Sequence, residues 1–110
     1  MKESQRPSAF RLLGLARRAG AVAPGTDATR RSIRRGEARL VLVARDASSV
    51  QMDKVRKLMV KRPIPLAVLG DRATLGAAIG KGPTSAIAVI DESFAKLLLD
   101  YLEAASEVED

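Results

Sequence analysis

Histidine and cysteine are both missing from the 110 residues. Their absence removes the usual zinc ligands, Ser–His and Cys–His catalytic pairs, redox dithiols and disulfides, so an enzyme is not expected and neither is a metal or other cofactor. A chain without cysteine also fits the cytoplasm. Aromatic residues are nearly as scarce. Phe10, Phe94 and Tyr101 fall at helical, core-like positions, which leaves no stacking platform of the kind used by single-strand-binding sheets. No stretch approaches the roughly 18 consecutive apolar residues of a membrane span. Arg11 and Arg17 interrupt the apolar run near the N-terminus, which excludes a signal-peptide core.

What the chain has is positive charge, unevenly placed. Residues 1–62 carry 16 of the 19 Lys and Arg and 5 of the 13 Asp and Glu, a net +11; residues 63–110 carry 3 and 8, a net −5. Such a dipole is a signal about partners rather than about fold. Hydrophobic residues make up 46%, enough for one domain with a real core, and the length is too short for two. Residues 1–7 read as a frayed polar start, 8–104 as the domain and 105–110 as an acidic tail.

The most informative stretch is GTDATRRSIRRG, from Gly25 to Gly36. Wound as a helix at about 100° per residue, it sets Arg30, Arg34, Asp27, Arg31 and Arg35 on one arc of roughly 140°, with Ala28, Ser32, Thr29 and Ile33 opposite. Charge runs are usually just solvated faces. Here four arginines share an arc with a single acid, which favours an anionic partner over internal pairing. Thr26 is the expected N-cap, and Gly25 before it lets another backbone approach the free N–H groups of the helix, which favour phosphate.

The remaining elements follow from apolar spacing. Ser8 caps a first helix carrying Phe10, Leu12, Leu13, Leu15 and Ala16, which Gly20 stops. Residues 21–23 form a very short strand. Residues 38–44, ARLVLVA, are apolar without alternation, as in a strand covered on both faces and central to a sheet. Asp46, Ser48 and Ser49 offer caps for a third helix with Met52, Val55, Leu58 and Met59 on its inner face. Residues 65–69 are a second buried strand and 70–80 a turn and short helix, in which Gly76 signals close packing. A loop at 80–85, a buried strand at 86–90 and a helix from Asp91 complete the chain. Alternating strands and helices with doubly covered strands predict a three-layer α/β/α sandwich around a small mixed, mainly parallel sheet.

Two short motifs carry no chemistry of their own. GAAIGKG at 76–82 has three residues between its first two glycines where a phosphate-binding P-loop needs four, and Gly82 stands where that motif has a hydroxyl. Asp91 with Glu92 is an ordinary acidic helix start. Lys81 beside Gly82 and Pro83 reads either as a loop lysine or as a phosphate contact. A helix-turn-helix DNA reader could use an arginine helix too, but strands buried on both sides fit it poorly.

Several runs together resemble one family: LLGLARRAGAV at 12–22, PGTDATRRSIRRGEARLVLVARDAS at 24–48, LGDRATLGAAIGK at 69–81 and AIAVIDESFAKLL at 86–98. In this order they are similar to the L7Ae/L30e ribosomal proteins, most closely the small bacterial members, over nearly the whole chain. The resemblance implies an RNA-binding sandwich of the kind that grips kink-turn RNA, a sharply bent duplex with tandem sheared G·A pairs. It places Gly25 at the family's glycine, Asp27 at an Asn, Ala28 at a Glu and Arg31 at a Lys, the three side chains that reach the G·A pairs. It also makes the loop from Gly80 to Ser85, with Ala86 at its exit, the holder of an extruded nucleotide. Ionised Asp27 only accepts hydrogen bonds and Ala28 makes none, so readout shifts from bases towards phosphate.

The expected partner is therefore structured, kinked RNA, ribosomal RNA or a ribosome-associated particle included. Arg30, Arg31, Arg34 and Arg35 position phosphates, Gly25, Thr26, Asp27 and Ala28 lie at the bend, and Lys81, Gly82, Pro83 and Ala86 border a second contact. The alternative is a non-enzymatic protein-interaction module of the ribosome or transcription machinery that uses the same basic face.

Overall fold

The computed structural model describes residues 8–109, and for 105–109 the backbone alone. The expected polar start at 1–7 lies outside the described residues. In chain order the elements are α1 (Ala9–Arg18), β1 (Val22–Pro24), α2 (Thr26–Arg34), β2 (Leu40–Val43), α3 (Ser49–Met59), β3 (Leu66–Val68), α4 (Arg72–Ala78), β4 (Ala86–Val89) and α5 (Glu92–Glu109). The acidic segment expected to trail the last helix is helical backbone as far as Glu109. Among the described residues no helix is long and apolar enough to cross a membrane.

The four strands form one mixed sheet in the order β1-β4-β2-β3. Side-chain alternation along β2 and β4 divides the core in two. Leu40, Leu42, Ile87 and Val89 point into a layer shared with Leu13 and Ala16 of α1, Leu75 of α4 and Leu98 of α5. Val41, Val43, Ala86 and Ala88 point the other way, towards Ile33 of α2 and Val55 of α3. This is the α/β/α sandwich, and β2 is central as its unbroken apolar run requires. Ala86 and Ala88 are small, and α2 packs against β4 on their side of the sheet.

The expectation of mainly parallel pairing needs correcting. Only β2 with β3 is parallel, whereas β4 runs antiparallel to both β1 and β2. A strand covered on both faces must be apolar throughout whichever way its neighbours run, so composition carried no information on direction. The second strand also differs: β3 is an edge, with Leu66 and Ala67 half-buried and Val68 exposed. Its flanking Pro63 and Pro65 suit an edge.

Ser8 caps α1 by accepting from the Arg11 N–H, and Ser48 caps α3 by accepting from the Gln51 N–H. Asp46, expected to compete for that cap, serves α4 instead: its Oδ1 accepts from the Arg72 N–H at 2.8 Å across 26 residues of sequence. Asp71 and Thr74 close α4 reciprocally, each side chain accepting from the other's backbone N–H.

Candidate RNA interface

The strand ends that meet at one edge of the sandwich place the start of α2 beside the 80–85 loop. The Gly25 N–H donates to the Ala86 carbonyl at 2.9 Å, and the Ala44 N–H donates to the Ser85 carbonyl at 2.9 Å. The loop is tied to α4 as well, because the Lys81 N–H donates to the Gly76 carbonyl and the Thr84 N–H to the Arg72 carbonyl. Thr84 is buried, and its hydroxyl donates to the Gly82 carbonyl at 2.8 Å. A β-carbon on Gly76 would collide with the Gly82 carbonyl, so the close packing expected at Gly76 is the contact between α4 and this loop.

Between these walls lies an open groove of about 510 Å³. Gly25, Thr26 and Asp27 form one side; Lys81, Pro83, Thr84 and Ser85 form another; Ser48 and Gln51 from α3 and Arg72 from α4 complete it. Gly25 is itself the N-cap, at φ 94° and ψ 162°, which corrects the assignment of that role to Thr26. No side chain caps α2. The first amides of the helix therefore open at the groove, where its positive end favours an anion. A cap at Thr26 would have spent one of those donors.

The arginine arc has the expected phase. Thr29, Ser32 and Ile33 are buried, whereas Asp27, Arg31, Arg34 and Arg35 are exposed. Arg30 is the exception, with its side chain only 27% exposed and its Nη1 3.8 Å from Asp27 Oδ1. Ala28 is half-buried. Ala86 is buried at 2% exposure and enters the site through its carbonyl. Lys81, Gly82 and Pro83 are exposed in the loop. The groove thus gathers Gly25, Thr26, Asp27, Lys81 and Pro83, while Arg31, Arg34 and Arg35 stand on the surface leading away from it.

Sequence reasoning missed Arg72 and Gln51, and it included Thr84 only as part of the 80–85 loop. Arg72 is held over the groove by Asp46, through the backbone bond and an Nε–Oδ2 contact of 3.4 Å. Beside it Arg45 approaches Asp71 at 3.6 Å, so the two segments exchange charges crosswise. The Asp71 carboxyl is held below its ordinary range, first by the Thr74 N–H, then by the Thr74 hydroxyl and the Arg45 guanidinium. The only early signal for Arg72 was its place directly after a capping aspartate, at the mouth of α4.

Open, cation-lined ground at a helix start and a glycine loop defines a surface for an anionic partner on an α/β/α sandwich. The family model for ribosomal protein L7Ae/L30e/S12e/Gadd45 matches residues 8–99, and the chain belongs to that family. It is 40% identical over 94 residues to RNA-binding protein YlxQ of Bacillus subtilis (strain 168), covering 86% of this chain and 94% of that one. It is 35% identical over 103 residues to RNA-binding protein YlxQ of Enterococcus faecium, covering 94% and 99%. Among solved structures, a protein of unknown function from Bacillus halodurans C is similar at TM-score 0.82 and 31% identity, with 89% of this chain and 99% of that one covered. The Giardia lamblia 15.5kD RNA binding protein is similar at TM-score 0.69, with 86% and 84% covered; at 20% identity it speaks for the fold alone.

Proposed function

We propose that this protein binds structured RNA, and that the groove receives the bend of a kink-turn-like duplex. The observation that carries this reading is the uncapped start of α2 facing Lys81 and Arg72 across the groove. Amide donors and two cations converge there, and the one acid, Asp27, is 85% exposed and leans towards Arg30. An RNA backbone supplies what such a site lacks, a fixed array of anionic acceptors. The two YlxQ relatives, named for RNA binding, match over nearly their whole lengths, so the proposed ligand class agrees with theirs.

Base readout is narrower than the family resemblance implies. Asp27 accepts from guanine N1–H or N2–H or from an adenine amino group, and repels guanine O6; Ala28 contributes no polar atom. Arg30, Arg31, Arg34 and Arg35 shift recognition towards phosphate, which makes binding strongly salt-dependent. Ribosomal RNA and the RNAs of ribosome-associated particles, in the cytoplasm, are the ligands to test first.

The test is titration of a kink-turn RNA against a control in which Watson–Crick pairs replace the sheared G·A pairs, at two salt concentrations. Tighter binding to the kink-turn is expected. Equal affinity for both would remove the kink and leave general RNA binding; no binding to either would favour the protein-interaction module.

A further inference from the structure

The cations of α3 have no part in the groove, and their arrangement beside α2 is unexplained by it. The two helices pack side by side on one face of the sheet. Gln51 of α3 borders the groove together with Thr26 and Asp27 of α2, which fixes the flank of α3 that faces α2. At about 100° per residue, Lys54 lies roughly 60° from Gln51 and Lys57 stands on the outward shoulder, while Lys61 follows in the turn after α3. All three lysines are exposed, and none forms an ion pair among the described residues. Asp53, the one acid of α3, lies about 160° round the helix from Gln51.

From α2 this furrow receives Arg30 and Arg34. Arg30 is half-buried, its Nε has no hydrogen-bond partner among the described residues, and its ionic contact with Asp27 is loose. A buried guanidinium N–H without an acceptor is costly, and an anion entering the furrow would supply one. Lys54 and Lys57 recur at i and i+3 on α3, and Lys61 follows in the turn just past its end, a row of cations that suits successive phosphates of one strand. Thr26, Asp27 and Gln51 put the groove at one end of the two helices, so a strand bound in the groove continues past these cations, a continuity that an acidic peptide would not share.

We infer that the furrow between α2 and α3 is a second RNA site, which holds the phosphodiester backbone of a duplex arm leaving the groove. Arg30 and Arg34 contact the strand from one side and Lys54, Lys57 and Lys61 from the other. The inference rests on the RNA-binding reading above and adds a requirement for an arm long enough to reach α3.

The test compares wild type with the triple variant Lys54→Gln, Lys57→Gln, Lys61→Gln. Each is titrated with a kink-turn RNA carrying two arms of about a full turn and with versions in which either arm is cut back. With the long-armed RNA, the slope of log affinity against log salt should fall by about 2 units in the variant, since each lost phosphate contact removes roughly 0.7–0.9. Cutting back the arm that occupies the furrow should lower wild-type affinity and bring the two proteins level. Equal slopes with the long-armed RNA overturn the inference, and so does an equal loss on long and short arms. Polyglutamate that competes as well as RNA, and does so only with lysines present, overturns it in favour of an acidic protein. The kink is a separate matter: equal binding of kinked and unkinked duplexes would remove that reading while the slope difference stood. A circular-dichroism melt matching wild type confirms that the variant is folded.

Discussion

The carbonyl oxygen of Gly82 occupies the space that a β-carbon on Gly76 would need, because the turn leaving α4 folds back against the helix. Alanine at this position is therefore a probe of the 80–85 loop and not merely of helix propensity. In an open helix the substitution would gain about 1 kcal/mol. Here overpacking should outweigh the gain and destabilise the protein by about 1–3 kcal/mol. Urea unfolding of Gly76→Ala measures it, and RNA affinity should fall in parallel as Lys81 is displaced. A more stable variant would mean that the loop yields freely.

Gly25 adopts φ 94° with ψ 162°, a region almost confined to glycine, where other residues are strained by about 1–3 kcal/mol. Gly25→Ala should lower the melting temperature and weaken RNA binding beyond what the stability loss explains. Gly36 makes a useful contrast. It ends α2 at φ 73°, and its turn, with the Glu37 N–H donating to the Ser32 carbonyl, is one that asparagine tolerates. Gly36→Asn should cost less stability than Gly25→Ala and leave RNA binding unchanged.

Asp71 provides a pH signature. Its native carboxyl titrates below the ordinary value of 3.8, so its charge contributes stability that is fully present above that value and is lost as pH falls through the lowered native one. Asp71→Asn keeps an oxygen for the Thr74 N–H and removes the charge. The variant should melt below wild type at neutral pH, with the gap closing only under strongly acidic conditions. Thermal melts from pH 7 downwards decide it; a gap unchanged throughout would assign the effect to shape rather than charge.

Arg31 and Arg34 are exposed and make no ion pair among the described residues. Replacing both by glutamate should change stability by no more than about 0.5 kcal/mol per site. RNA binding at moderate salt should nevertheless be abolished in a mobility-shift titration. Retained affinity would move the interface to another face.

How far the residues alone led depends on the range of the interactions concerned. The phase of α2 was legible because Thr29 and Ile33 recur at helical spacing, and the central place of β2 because LVLV has no polar residue to expose. Gly76 was legible as a tight approach, although its partner was not. Strand direction was hidden, since Ile87 and Val89 would be buried in either sense. The N-cap was misjudged by one residue, because Thr26 has a capping side chain but Gly25 has the backbone freedom that this entry angle requires. Arg72, and the burial of Thr84 within the loop, were invisible for a simpler reason. Both acquire their positions through contacts that sequence order does not suggest, Arg72 from Asp46 and Thr84 from the carbonyls of Arg72 and Gly82.

The bond from Gly25 to the Ala86 carbonyl means that one strand entrance anchors both banks of the groove. The start of α2 and the exit of the 80–85 loop are thereby tied to each other by main chain, so a displacement of one is felt by the other. A substitution that shifts the loop should therefore also shift the mouth of the helix, although the two are about 60 residues apart in sequence.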